Sequence, residues 1–284
     1  MASLSFGSPV RLTSGPGVDL RPNWTPDSRS VVFERWLGVT RGLFQVLGDG
    51  TGLTELTLCN LPGTHATGRP AFFGVGDFAF VSDRRGHPGL YRCTLADGAV
   101  TPLVQADQAC QGPSLAVTGN RHPDQPTLLY FQQAGDQTFH IHQRSAQGQT
   151  RQVTDAPGSQ DQPWLLPDAR SFVYHAHEDG QHLIYFQSLT HDAPRTCLSS
   201  ADESTPYVTP FPSPDGQWVA FCSASSGMAQ VWVMRLDGTA RQQVTDGETH
   251  RFPAWRPDGQ ALVVVCGDPL AEQPSGELWT IPVG

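Results

Sequence analysis

The stretch YHAHEDG, residues 174–180, sets His175 and His177 two positions apart and follows them at once with Glu178 and Asp179. On an extended chain, residues i and i+2 face the same side. Two imidazoles so placed, with carboxylates beside them, could hold a divalent metal. Imidazole also titrates near neutral pH, so general acid–base work is open to the same residues, with His182 close behind. A second pair, His140 and His142, stands in QTFHIH at 137–142. Spacing fixes no third ligand for either pair, and polar histidines at strand ends are the plainer explanation.

A second set of polar residues comes just ahead of a recurring proline. The segments are GVDLRP (17–22), HATGRP (65–70), ACQGP (109–113), SQDQP (159–163), PYVTP (206–210) and THRFP (249–253). They bring forward Asp19, Arg21, His65, Arg69, Asp161, Gln162, Tyr207, His250 and Arg251. Arginines from three such segments, with carboxylates between them, could clamp a carboxylate, a phosphate or a sugar. The plainer alternative is a solvated rim whose ion pairs contribute little.

The elements that must position these residues follow from an internal repeat. TPFPSPDGQWVAF at 209–221 returns as RFPAWRPDGQALVVV at 251–265. Aligned on Pro26, Gly74 (in the degenerate copy GVGD), Pro123, Pro167, Pro214 and Pro257, the intervals are 48, 49, 44, 47 and 43 residues. That is the period of a propeller blade rather than of a helical solenoid. Each copy has a proline-led apolar run, a Pro-Asp turn, a strand such as SVVFE or WVAFCS, a polar loop, and an alternating third strand such as LFQVL or VWVMRL. These runs fit strands and no helix-period segment accompanies them. In the third copy Pro113 leads, ahead of an insertion, VTGNRH.

The fourth strand ends in Leu56-Thr57, Val153-Thr154, Leu198-Ser199 or Val244-Thr245, with Leu103-Val104 in the second copy. From Pro-Asp to the Thr is 31 residues in the first, third and fifth copies, which places the sixth beyond Gly284. Val10-Arg11-Leu12-Thr13 supplies the missing piece. The expectation is an all-β, six-bladed propeller of four-stranded antiparallel blades, one domain over residues 1–284, with residues 10–13 completing the last blade and removing a weak edge.

With SPDGQWVAF, SDRRGHPGLYRCTLADG (82–98) and VWVMRLDGTARQQVTDG (231–247) in view, the chain resembles the TolB-type, WD-like propeller family over about residues 8–284. The resemblance implies the fold and spans several functions: envelope assembly proteins, propellers fused to peptidases, and sugar lyases. No GxSxG nucleophile elbow is present, so the peptidase chemistry does not carry over. The lyases of the family place His and Gln metal ligands in loops leading to the innermost strands. The QTFHIH histidines fall on a third strand instead, so those roles are not transferred.

Bulk properties narrow the field further. All 18 basic residues are Arg, which removes Schiff-base chemistry and a P-loop lysine. A net charge of −9 without a basic cluster argues against nucleic acid. ALVVVC (261–266) is too short to span a membrane. The six cysteines are widely spaced and read as thiols rather than a disulfide frame or zinc site. MASLSFGSPVRLT lacks the charged and apolar parts of a secretory signal. A cytoplasmic location is therefore expected, or a periplasmic one if the natural chain begins upstream. The tryptophans at blade positions read as packing. Trp36, in the second-to-third loop of the first blade, stands out as a candidate stacking surface near the ligand face. The resulting expectation is a monomeric binding or scaffold propeller that takes a protein segment or small molecule at its channel mouth. The alternative is a metal-assisted lyase or hydrolase acting on an acidic sugar.

Overall fold

The middle strands are buried because each is sandwiched between neighbouring sheets, and each carries an apolar run at its centre, such as Phe172–Tyr174 and Trp218–Cys222. Ser171–Glu178 and Trp218–Ser223 show this, with nearly every residue buried. The computed structural model describes residues 3–104, 107–115, 127–190, 193–199, 207–269 and 271–284, with only the backbone of Tyr207. There the chain forms six four-stranded antiparallel sheets. Blade 1 runs Val18–Trp24, Ser30–Leu37, Thr40–Leu47, Thr54–Glu55, and blade 2 runs Ala66–Gly74, Asp77–Ser82, Gly89–Thr94, Ala99–Pro102. Blade 3 runs Cys110–Leu115, Leu128–Gln133, Phe139–Arg144, Thr150–Gln152, and blade 4 runs Ser159–Leu165, Ser171–Glu178, Gln181–Ser188, Thr196–Cys197. Blade 5 runs Tyr207–Pro212, Trp218–Ser223, Gln230–Arg235, Gln242–Gln243, and blade 6 takes His250–Trp255, Ala261–Cys266, Glu277–Pro282 and, as its outer strand, Val10–Arg11. Each innermost strand packs on the next, and that of blade 6 packs on that of blade 1, closing a ring.

Closure is built as the repeat predicts. Val10 pairs with Thr280 and Arg11 with Trp279. The Leu12 N–H then donates to the Leu278 carbonyl at 2.7 Å, and the Thr13 hydroxyl receives the Leu278 N–H at 2.8 Å. The same device recurs where the fourth strand peels away: Thr154, Ser199 and Thr245 receive the N–H groups of Ile141, Ile184 and Val231 at 2.8–2.9 Å. Blade 1 departs from the pattern. Thr57 is exposed, and Asn60 Oδ1 receives the Leu43 N–H at 2.8 Å in its place.

The Pro-Asp turns are local structure. Asp27, Asp168, Asp215 and Asp258 each accept the backbone N–H two residues on, at 2.9–3.2 Å. The intervening residue is left-handed in all four, with φ 62° at Ser28, 54° at Ala169, 69° at Gly216 and 77° at Gly259. Pro123-Asp124 and the insertion VTGNRH lie outside the described residues. None of the described residues is helical, and no helix is long and apolar enough to cross a membrane.

Candidate functional site

A proline inside the innermost strand cannot donate a ladder hydrogen bond, so the strand must bulge there. Pairing with the second strand breaks in every blade: between Leu20 and Asn23, Thr67 and Ala71, Gln111 and Ser114, Asp161 and Trp164, Val208 and Phe211, and Arg251 and Ala254. At each break one residue is left-handed: Arg21 (φ 50°), Gly68 (80°), Gly112 (57°), Gln162 (49°), Thr209 (55°) and Phe252 (54°). Four of these carry side chains, for which this conformation costs about 1–2 kcal/mol each. All six line a single cavity of about 550 Å³. Blade 2 sets its glycine two positions before the proline, which sends Arg69 inward between Gly68 and Pro70.

The cavity wall is both apolar and charged. Phe131, Phe139, Trp164 and Phe252 supply ring surface. Glu34 is fully buried and fully matched: it accepts from Arg21 Nη1 at 2.9 Å, from the Gly68 N–H at 2.9 Å and from Trp36 Nε1 at 2.5 Å. His65 Nδ1 donates to Asp83 at 2.7 Å. Asp161 accepts from His175 Nδ1 at 2.6 Å, and His175 Nε2 then accepts from His182 Nδ1 at 2.8 Å. Burial, followed by the neighbouring His175 and His177, lowers the pKa of His182 from its ordinary value.

Arg69 differs from these groups. It is 8% exposed, its guanidinium makes no hydrogen bond among the described residues, and Nη2 is buried without a partner. Its guanidinium carbon lies 5.5 Å from the ring centre of Trp164 and 5.1 Å from that of Phe211. Burial pulls its pKa down to about 9, still above neutral pH.

Of the residues expected at a common rim, Arg21, His65, Arg69, Asp161 and Gln162 meet at this cavity. Asp19, His250 and Arg251 are not part of its lining. Asp19 is buried and holds Arg35 through two bonds of 2.5 and 2.8 Å while accepting from Thr13, so it braces the ring closure. His250 donates Nδ1–H to the Glu248 carbonyl, and Arg251 faces Asp268 at 3.4 Å. The side chain of Tyr207 lies outside the described residues.

The histidines expected to hold a metal are divided. His175 is buried with both ring nitrogens engaged, which leaves neither free for a cation, while His177 is exposed and stacks on His182 with ring centres 4.4 Å apart. Among the described residues, no group of three or more His, Cys, Asp or Glu is arranged to hold a metal ion. On the third strand of blade 3, His140 bonds Gln160 and His142 stacks on Tyr130. Trp36 is covered by the Arg41 guanidinium at 4.1 Å.

Sequence reasoning missed Glu34, Thr209, Phe252 and the aromatic wall. Two signals point to the first three, the residue immediately before each blade proline and an acid inside the apolar run SVVFE, whereas neither marks Phe131, Phe139 or Trp164.

No known protein-family model matches the chain. An uncharacterized protein of Agrobacterium fabrum is 32% identical over 103 residues, a match spanning 36% of this chain and 34% of that protein. Among solved structures, a protein assigned as TolB from Agrobacterium tumefaciens superposes with a TM-score of 0.69 at 17% identity, covering 96% of this chain and 92% of the other. TolB from Acinetobacter baumannii gives 0.65 at 17% identity, over 94% of this chain and 62% of that one. An oligogalacturonate lyase in complex with manganese gives 0.59 at 11% identity, over 100% and 97%. At these identities the likeness establishes a TolB-like propeller fold.

Proposed function

We propose that this chain is a binding propeller whose working part is the channel-mouth cavity, where a small ligand or a protein segment is held without chemical conversion. One observation carries the reading: all six innermost strands bulge at the same level and turn a left-handed residue into one cavity. Strain repeated around a ring persists where the surrounding structure enforces it, and such positions cluster at ligand sites. A cavity of about 550 Å³ is of the size that holds a small molecule or a few residues of peptide. The test is native mass spectrometry after incubation with extract of the source cells, comparing the wild type with Gln162→Trp, which puts a bulky ring into the cavity lining. Wild type should retain a defined adduct that the variant loses; identical spectra would refute the reading.

A second reading is favoured by the chain from Asp161 through His175 to His182, because a carboxylate on a cavity wall joined to imidazoles can move protons. It gives a lyase or hydrolase acting on an acidic sugar. Turnover of oligogalacturonate that disappears in His175→Asn would favour it over simple binding. A cytoplasmic location is proposed as well, supported by six free thiols. Cell fractionation tests it, and recovery from the envelope would overturn it.

A further inference from the structure

Among the described residues, two arginines of the cavity lining, Arg41 and Arg69, have no carboxylate partner, and of these Arg69 alone is buried. Arg21 is matched by Glu34, while Asp83 and Asp161 each have a histidine. Arg41 lies over Trp36 at the exposed rim. Arg69 is buried between two aromatic rings, which attract its charge but offer no acceptor for its N–H groups. A buried guanidinium without an acceptor is costly for the fold, and the cost falls when an anion forms paired N–H···O bonds with it.

Resting on the reading of this cavity as the binding site, we propose that its ligand presents a single carboxylate to Arg69 and lays an apolar, preferably aromatic, body against Trp164 and Phe252. Repulsion within the lining favours a carboxylate over a phosphate. Three carboxylates, Glu34, Asp83 and Asp161, share the cavity with Arg69. They repel a dianion about twice as strongly as a monoanion, while Arg69 is the buried cation left to hold either. No helix N-terminus is available among the described residues to supply the N–H cluster that phosphate sites use. The low pKa of Arg69 agrees: an anion at this point restores the charged form that burial disfavours.

The experiment is ligand-observed NMR with 3-phenylpropionate, its neutral amide, phenyl phosphate and a matched library of carboxylate and amide fragments. It is run on wild type, Arg69→Met, Arg69→Lys and Gln162→Trp, which obstructs the cavity. Carboxylates should bind wild type about tenfold more tightly than their amides, the worth of a charge-assisted bond. That preference should vanish in Arg69→Met and survive in part in Arg69→Lys. Arg69→Met should melt no lower than wild type, because it removes an unpaired buried charge. A preference that persists in Arg69→Met overturns the assignment, and so does tighter binding of phenyl phosphate. Equal binding of carboxylates and amides, abolished by Gln162→Trp, overturns the assignment and leaves the cavity as the site. Probes that bind neither wild type nor Gln162→Trp overturn both.

Discussion

Thr245→Val separates what the repeat looks like from what it does. The Thr245 hydroxyl is buried; it receives the Val231 N–H at 2.9 Å and donates to Gln230 Oε1 at 2.7 Å. Valine keeps the shape and leaves both partners unpaired. A buried polar group so stranded costs about 1–3 kcal/mol, and Gln230 can turn to recover part of its share, so about 2–3 kcal/mol is expected. Unfolding entropy near 2.1 cal/mol/K per residue gives roughly 0.6 kcal/mol/K for a chain of this length, so Tm should fall by about 3–5 °C. Thr57→Val, the equivalent change by sequence, should move Tm by less than about 1 °C, because Thr57 is exposed and Asn60 does the bonding. Asn60→Leu should therefore behave like Thr245→Val. Differential scanning calorimetry on the three variants decides the matter. Equal losses for Thr57→Val and Thr245→Val would mean that Asn60 does not take over the role of Thr57.

Three further outcomes follow from the same geometry. Asp19→Ala strands the buried Arg35 guanidinium and should cost about 3–5 kcal/mol in urea unfolding, while ligand affinity measured well below the transition stays unchanged; lost affinity with unchanged stability would return Asp19 to the site. Ala169→Gly relieves a left-handed residue where two other copies already have glycine, and should stabilise by about 0.5–1 kcal/mol after the unfolded-state entropy is counted; a lower urea midpoint would contradict it. Burial holds His250 below its ordinary 6.5, with the pKa values of His142 and His182 lowered in the same sense. The unfolded chain therefore binds these protons first, so the stability of the neutral forms is full above about pH 6.5 and is lost as pH falls below it. His250→Gln should flatten the slope of Tm between neutral pH and pH 5, and an unchanged slope would remove His250 from that account.

The fold was legible because its period is long and its punctuation is chemical. Pro-Asp marks a turn that the carboxylate closes on the backbone, and Leu-Thr marks where an outer strand leaves the sheet. Together they located Val10–Thr13 in the last blade from spacing alone. What stayed hidden depends on register. Asn60 takes the place of Thr57 through a turn that puts an amide where a hydroxyl would have sat. Asp19 and Arg21 share a segment, yet one pairs directly across from Arg35 inside the blade and the other sits at the bulge. A one-residue change in register moves a side chain to the other face, and the bulge supplies that change. Blade 2 places its glycine one position earlier than blade 3, and only the folded chain shows that this buries Arg69 against blades 4 and 5.

A crystal of the protein soaked with 3-phenylpropionate would locate the ligand directly. Density is expected inside the ring of bulges, with the carboxylate at Arg69 and the phenyl ring against Trp164 and Phe252. Density confined to another surface, with the cavity unchanged, would contradict that placement.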